Sequence, residues 1–88
     1  MRCKIIYSGR VQGVGFRWNV ADVMTGFVLT GIVQNLSDGT VKVILEGKQG
    51  EISQGRDKIE ERMKGYWLRS EIEYQDEAPH FSKFSILR

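Results

Sequence analysis

The chain has 88 residues, with 13 Lys and Arg against 11 Asp and Glu for a formal charge of +2; that length supports one core between a sheet and helices, but not two cores with a cleft between them. No run of five or more like charges occurs, which argues against a nucleic-acid partner and leaves room for a small anionic ligand. One cysteine, Cys3, and one histidine, His80, exclude an internal disulfide and a structural zinc site; no segment approaches the roughly 20 apolar residues of a membrane span or has the form of a secretory signal, so a single cytoplasmic domain over residues 1–88 without a membrane partner is expected.

Cys3 to Ser8, containing Ile5, Ile6 and Tyr7 and bounded by Gly9, reads as a first strand. Within it Cys3 reads as a small buried hydrophobe rather than a reactive thiol. Phe16, Val20, Val23, Met24 and Phe27 recur at helical spacing, predicting a first helix from about Phe16 to Phe27, with Thr25-Gly26 weakening its last turn. Thr30–Leu36 and Thr40–Glu46 read as extended, joined into a hairpin by Ser37-Asp38-Gly39. In the second of these, Val41, Val43 and Leu45 alternate with Lys42, Ile44 and Glu46, predicting one buried and one largely wet face. After a polar loop at Gly47–Gly50, Ile52, Ile59 and Met63 mark one side of a charged helix ending near Gly65. Gly55 stands where that helix should carry a large apolar residue, making it the weaker of the two. Tyr66, Trp67 and Leu68 read as filling at the core's edge. Ile72 and Tyr74, then Phe84 and Ile86, alternate with polar neighbours on two final strands separated by a loop around Pro79. The order βαββαβ, with an extra or split last strand, predicts an α+β ferredoxin-like sandwich, two helices packed on one face of a mostly antiparallel four- to five-stranded sheet.

Chemistry concentrates between the first strand and the first helix. Glycines at positions 9, 13 and 15 open backbone conformations closed to other residues and leave the amides bare, the makings of an anion nest. A helix starting near Phe16 aims its unpaired first-turn N–H groups and positive dipole end at the same place. Arg17 offers a planar fork suited to phosphate or carboxylate. Arginine in a first helical turn opposes the dipole, so an anion is expected to compensate it. The loop lacks the Gly-Lys-Ser/Thr ending of a nucleotide-binding loop and the dinucleotide glycine spacing, so neither ATP nor NAD is indicated. Asn35, near the end of a strand that disfavours asparagine, either caps the hairpin or uses its amide to orient a water or a substrate oxygen. No Ser-His-Asp or Cys-His set is present, and His80 reads as a solvent-exposed loop residue.

Tyr7-Ser8-Gly9-Arg10-Val11-Gln12-Gly13-Val14-Gly15-Phe16-Arg17, then Gly31-Ile32-Val33-Gln34-Asn35-Leu36-Ser37-Asp38-Gly39-Thr40-Val41 and Gly47, resemble the two signature segments of the acylphosphatases. With Phe84-Ser85-Ile86 the resemblance covers nearly the whole chain. It implies a small ferredoxin-like enzyme that hydrolyses the carboxyl–phosphate bond of small acyl phosphates without metal or cofactor, by in-line attack of a positioned water. By the same resemblance Arg17 is the phosphate-binding arginine and Asn35 the water-positioning asparagine. Val11, Gln12, Gly13, Val14, Gly15 and Phe16 form the amide cradle. Inorganic phosphate or sulfate is expected to bind as product or mimic, and the protein is expected to be a monomer. No nucleic-acid partner is expected, since neither an aromatic RNA-binding motif nor a basic stripe occurs. Four departures stand out: Ile32 replaces an aromatic residue and is expected to reshape the pocket wall beside Asn35; Phe27-Val28-Leu29 replaces Leu-Gly-Leu; Gly55 lies in helix two; and Tyr66-Trp67 stands where Gly-Pro is common. They leave open a second reading, a non-catalytic anion-binding module stabilised by phosphate but without turnover.

Overall fold

The computed structural model describes all of residues 1–88. Its elements are β1 (Arg2–Gly9), α1 (Phe16–Met24), β2 (Thr30–Asn35), β3 (Val41–Glu46), α2 (Gln49–Arg62), β4 (Trp67–Gln75) and β5 (Phe84–Leu87). They form one five-stranded sheet in the order β4-β1-β3-β2-β5. β1 pairs antiparallel with β3 and β4, and β2 antiparallel with β3, while β5 lies parallel to β2. The two last strands are therefore separate elements on opposite edges, and the sheet is mixed.

Alternation places Cys3, Ile5 and Tyr7 of β1 with Val33 of β2 and Val41, Val43 and Leu45 of β3 on one face. The α1 stripe Phe16, Val20, Val23 and Met24 and the α2 stripe Ile52 and Ile59, continued by Met63, close over it. Burial of each large apolar side chain here contributes roughly 1.5–3 kcal/mol. Gly55 does not leave the gap in α2 that the stripe suggests. A Cβ there would lie 2.9 Å from Leu29 Cδ1 and 3.3 Å from Met24 Cε, so those side chains already occupy the space.

Helix α1 ends at Met24, not Phe27. Thr25, Gly26 and Phe27 donate to the carbonyls of Asp22, Val23 and Met24 at 3.2, 3.1 and 3.1 Å, the tightened i→i−3 pattern of a helix running out. The Thr25 hydroxyl also donates to the Asp22 carbonyl at 2.6 Å. Gly26 is not among the glycines with positive φ, so it does not supply a left-handed cap. At the other helix, α2 begins at Gln49, two residues inside what the sequence suggested as loop.

The face of β3 away from the helices is less wet than alternation predicts, since Ile44 is 4% and Glu46 2% exposed. Ile44 is the cross-strand partner of Ile32, itself buried. The Glu46 carboxylate accepts the N–H of His80 at 2.9 and 3.0 Å, that of Phe81 at 2.9 Å, and the Thr30 hydroxyl at 3.4 Å. It thereby fixes the segment that carries the chain from β4 at one edge to β5 at the other. That segment has no periodicity, so the sequence gives no sign that it would bury an acid.

Tyr7 is fully buried, its ring 5.4 Å from that of Phe16 and 5.8 Å from that of Trp67. Its hydroxyl donates to Glu60 Oε2 at 3.0 Å, and the Trp67 indole donates to the Glu60 carbonyl at 3.0 Å. Trp67 thus fills the core's edge as expected. Leu68 does not, being 81% exposed, and Tyr66 lies under the Arg10 guanidinium at 5.6 Å. Burial, with the Glu60 carboxylate beside it, pushes the Tyr7 phenol well above its ordinary 10.0. A raised folded value means that the contribution to stability is complete below pH 10.0 and is lost as pH climbs above it, when the unfolded chain ionises first. Tyr7→Phe should therefore cost about 1 kcal/mol near neutral pH, and the gap to the unaltered protein should narrow between pH 9 and about 11. Denaturant midpoints across that range check this; a constant gap contradicts it.

Candidate functional site

β1 delivers the chain into a loop in which Gly13 and Gly15 both adopt φ of 77°, a left-handed conformation that side chains with a Cβ rarely tolerate. The amide N–H groups from Val11 to Gly15 donate to no other backbone group of the chain, leaving a run of donors free for an anion. Gly15 is the N-cap of α1, without a side-chain cap and without an acidic residue in the first turn. The positive end of the helix is therefore unneutralised by the chain itself.

Two connections join this loop to the hairpin. Val11, at the start of the loop, is fully buried in the core. The Gln12 side-chain amide donates to the carbonyls of Leu36 and Thr40 at 2.8 and 2.9 Å, spanning the turn between β2 and β3. Asp38 stiffens that turn by accepting the Thr40 N–H at 3.0 Å and hydroxyl at 2.6 Å, and those bonds hold its carboxyl below the usual range. Asn35, the last residue of β2, is thereby brought against the loop.

The result is a pocket of about 270 Å³. Gly13, Gly15, Arg17, Asn35 and Arg88 contribute its polar lining and Val11, Phe16, Trp18 and Ile86 its apolar walls. Of the residues expected from sequence, Val11, Gly13, Gly15, Phe16, Arg17 and Asn35 converge, whereas Gln12 and Val14 do not line the pocket. The Gln12 side chain is spent on the hairpin, and its backbone N–H stays free. The Arg17 side chain makes one long bond, Nη1 to the Leu87 carbonyl at 3.4 Å, so most of its fork is free. Asn35 Oδ1 is buried without a hydrogen-bond partner, an arrangement that is costly unless a ligand or water supplies the donor.

Ile32 does not form a wall beside Asn35. Along β2 it alternates with Val33 and Asn35, and pairs with Ile44 on the face away from the helices. Its substitution for an aromatic residue therefore alters packing on the far side of the sheet. Sequence reasoning missed Trp18, Ile86 and Arg88. Trp18 carried a readable signal, an aromatic residue off the Phe16–Val20–Val23 stripe. Ile86 did not, because only the parallel pairing of β5 with β2, which sets Val33 beside Ile86, brings it there.

Two arginines, bare amides and a helix N-terminus line this pocket, with no Asp or Glu among the lining residues. The architecture is that of a ferredoxin-like α+β sandwich, and its pocket has the charge and donors to hold an oxyanion, with the unpartnered Asn35 Oδ1 in the same lining. The family model described as Acylphosphatase matches residues 3–86. A protein named Acylphosphatase from Geobacillus thermodenitrificans is 38% identical over 87 residues, covering 98% of this chain and 93% of that one. Another of that name, from Methanospirillum hungatei, is 53% identical over 47 residues, so that this match spans about half of each protein, 53% of this chain and 52% of the relative. The crystal structure of acylphosphatase from Bacillus subtilis superposes with a TM-score of 0.90 at 27% identity, covering 99% of this chain and 98% of that one. The chain belongs to the acylphosphatase family.

Proposed function

We propose that the protein is an acylphosphatase, hydrolysing the carboxyl–phosphate bond of small acyl phosphates to carboxylate and inorganic phosphate. Family membership supports this reading, and one observation carries the site: the unpartnered Asn35 Oδ1 lies in the same pocket as the free amides and Arg17. In this reading the loop amides from Val11 to Phe16 and the Arg17 fork hold the phosphoryl oxygens. Both strengthen as negative charge spreads over those oxygens in the transition state. Asn35 Oδ1 accepts a hydrogen from a water and turns its lone pair toward phosphorus, opposite the leaving oxygen. The new P–O bond forms as the old one breaks, the electron pair departs with the carboxylate, and the water's proton passes to a phosphoryl oxygen. Because a carboxylate is a good leaving group, positioning and charge stabilisation suffice without a covalent nucleophile. The reaction is read as metal-free, since the pocket offers anion-binding groups and no Asp, Glu, Cys or His side chain to ligate a cation. The protein is read as a cytoplasmic monomer of one domain with no nucleic-acid partner. None of the four departures from the family pattern, at Ile32, Val28, Gly55 or Tyr66-Trp67, lines the pocket, which removes the motive for a non-catalytic module.

Purified protein should release phosphate from benzoyl phosphate above the spontaneous rate, equally with and without a chelator. No release contradicts the activity, and loss with chelator contradicts the metal-free route. Asn35→Ala should lower kcat by about 10²-fold, the size of effect expected when a reactant is mispositioned. Competitive inhibition by inorganic phosphate should persist in that variant, because the water site contributes chiefly in the transition state.

A further inference from the structure

Trp18 is 64% exposed, yet it lines the pocket beside Arg17. It is not among the side chains packed into or against the core. Its indole differs in this from that of Trp67, which packs on Tyr7 and donates to the Glu60 carbonyl. The remaining apolar lining is less available: Val11 and Phe16 are 0% and 2% exposed, and Ile86, at 42%, is a much smaller surface. A large indole left in water beside the phosphoryl cradle is surface available to a ligand.

We infer that Trp18 is the acyl-group contact of this enzyme and sets its preference for acyl phosphates with a flat or extended apolar acyl group. The inference rests on the acylphosphatase reading. An acyl phosphate has two ends of opposite character. The phosphoryl end is claimed by the amides and Arg17, and the acyl end must project toward the mouth, where Trp18 is the largest apolar surface within reach. An aromatic acyl group can stack on the indole or meet its edge, whereas an acetyl group covers little of it. Trp18 therefore discriminates among substrates that the phosphoryl cradle alone would treat alike.

The test is kcat/KM for benzoyl phosphate and for acetyl phosphate, measured on the unaltered protein, Trp18→Ala and Trp18→Phe. The unaltered protein should favour benzoyl phosphate. Trp18→Ala should lower the benzoyl-to-acetyl ratio about fivefold, the scale of one aromatic pair, mainly through KM for benzoyl phosphate, and Trp18→Phe should restore most of it. Hydrolysis of both substrates with the same ratio in Trp18→Ala overturns this inference alone. Hydrolysis of neither by the unaltered protein overturns the acylphosphatase reading beneath it.

Discussion

Arg17→Ala is expected to lower kcat/KM for acyl phosphates by about 10³-fold and to abolish competition by inorganic phosphate, with no loss of stability. The fork makes only the long contact to the Leu87 carbonyl within the chain, so little folding energy depends on it. Its position in the first turn of α1, uncompensated by any acidic residue, works against the helix dipole, by about 0.3–1 kcal/mol for an exposed charge. Removing it should leave the denaturation midpoint unchanged or slightly raised while the enzyme fails. That opposition separates a ligand-binding arginine from a structural one. Arg17→Lys should recover only part of the activity, since an ammonium keeps the charge without the planar two-point contact. Steady-state kinetics and urea melts on the same preparations check both halves, and a parallel fall in stability and activity would count against the assignment.

Gly31→Ala is expected to unfold the protein at ordinary temperatures, at a cost above about 4 kcal/mol. Gly31 has φ of 144°, outside the range side chains with a Cβ adopt. An added Cβ would also overlap the backbone carbonyl of Ile44 on the neighbouring strand. Backbone cannot yield as a flexible side chain can, and β2 is held on its other side by β5, where the Gly31 N–H donates to the Lys83 carbonyl at 3.1 Å. Gly13→Ala provides the control. Its φ of 77° is also left-handed, but nothing lies within 4 Å of the added Cβ, so only about 1–2 kcal/mol of conformational cost applies. Thermal melts followed by circular dichroism should show a folded Gly13→Ala and no cooperative transition for Gly31→Ala. Two similar melts would mean that β2 does not approach β3 this closely. Asn35 ends the same strand, so the fit at Gly31 also underlies the site.

The sequence carried the strands of the hairpin, both helical stripes and the glycine loop, because each depends on residues close together along the chain. It also carried the conjunction of Arg17 with Asn35, through two motifs rather than through any local physics. What it did not carry depends on crossings between distant segments. Glu46 looked like an exposed strand residue, and is buried because the aperiodic stretch around His80 and Phe81 lays its amides on the carboxylate. Gly55 looks like a missing contact along the α2 stripe because the side chains that fill the space, Leu29 and Met24, come from other segments. Ile32 looked like part of the pocket because it is near Asn35 in sequence, but strand alternation sends the two to opposite faces. Gln12 has a second role that its neighbours in sequence do not announce. Its backbone amide is expected in the cradle and stays free of other backbone acceptors, while its side chain ties the loop to the hairpin.

The most direct test of the account is a crystal structure of the protein grown or soaked with phosphate or sulfate. The account predicts one tetrahedral anion on the amides of the Val11–Phe16 loop, held by two nitrogens of Arg17, with a water between the anion and Asn35 Oδ1. An empty loop at saturating anion, or an anion bound elsewhere with Arg17 turned away, would contradict it.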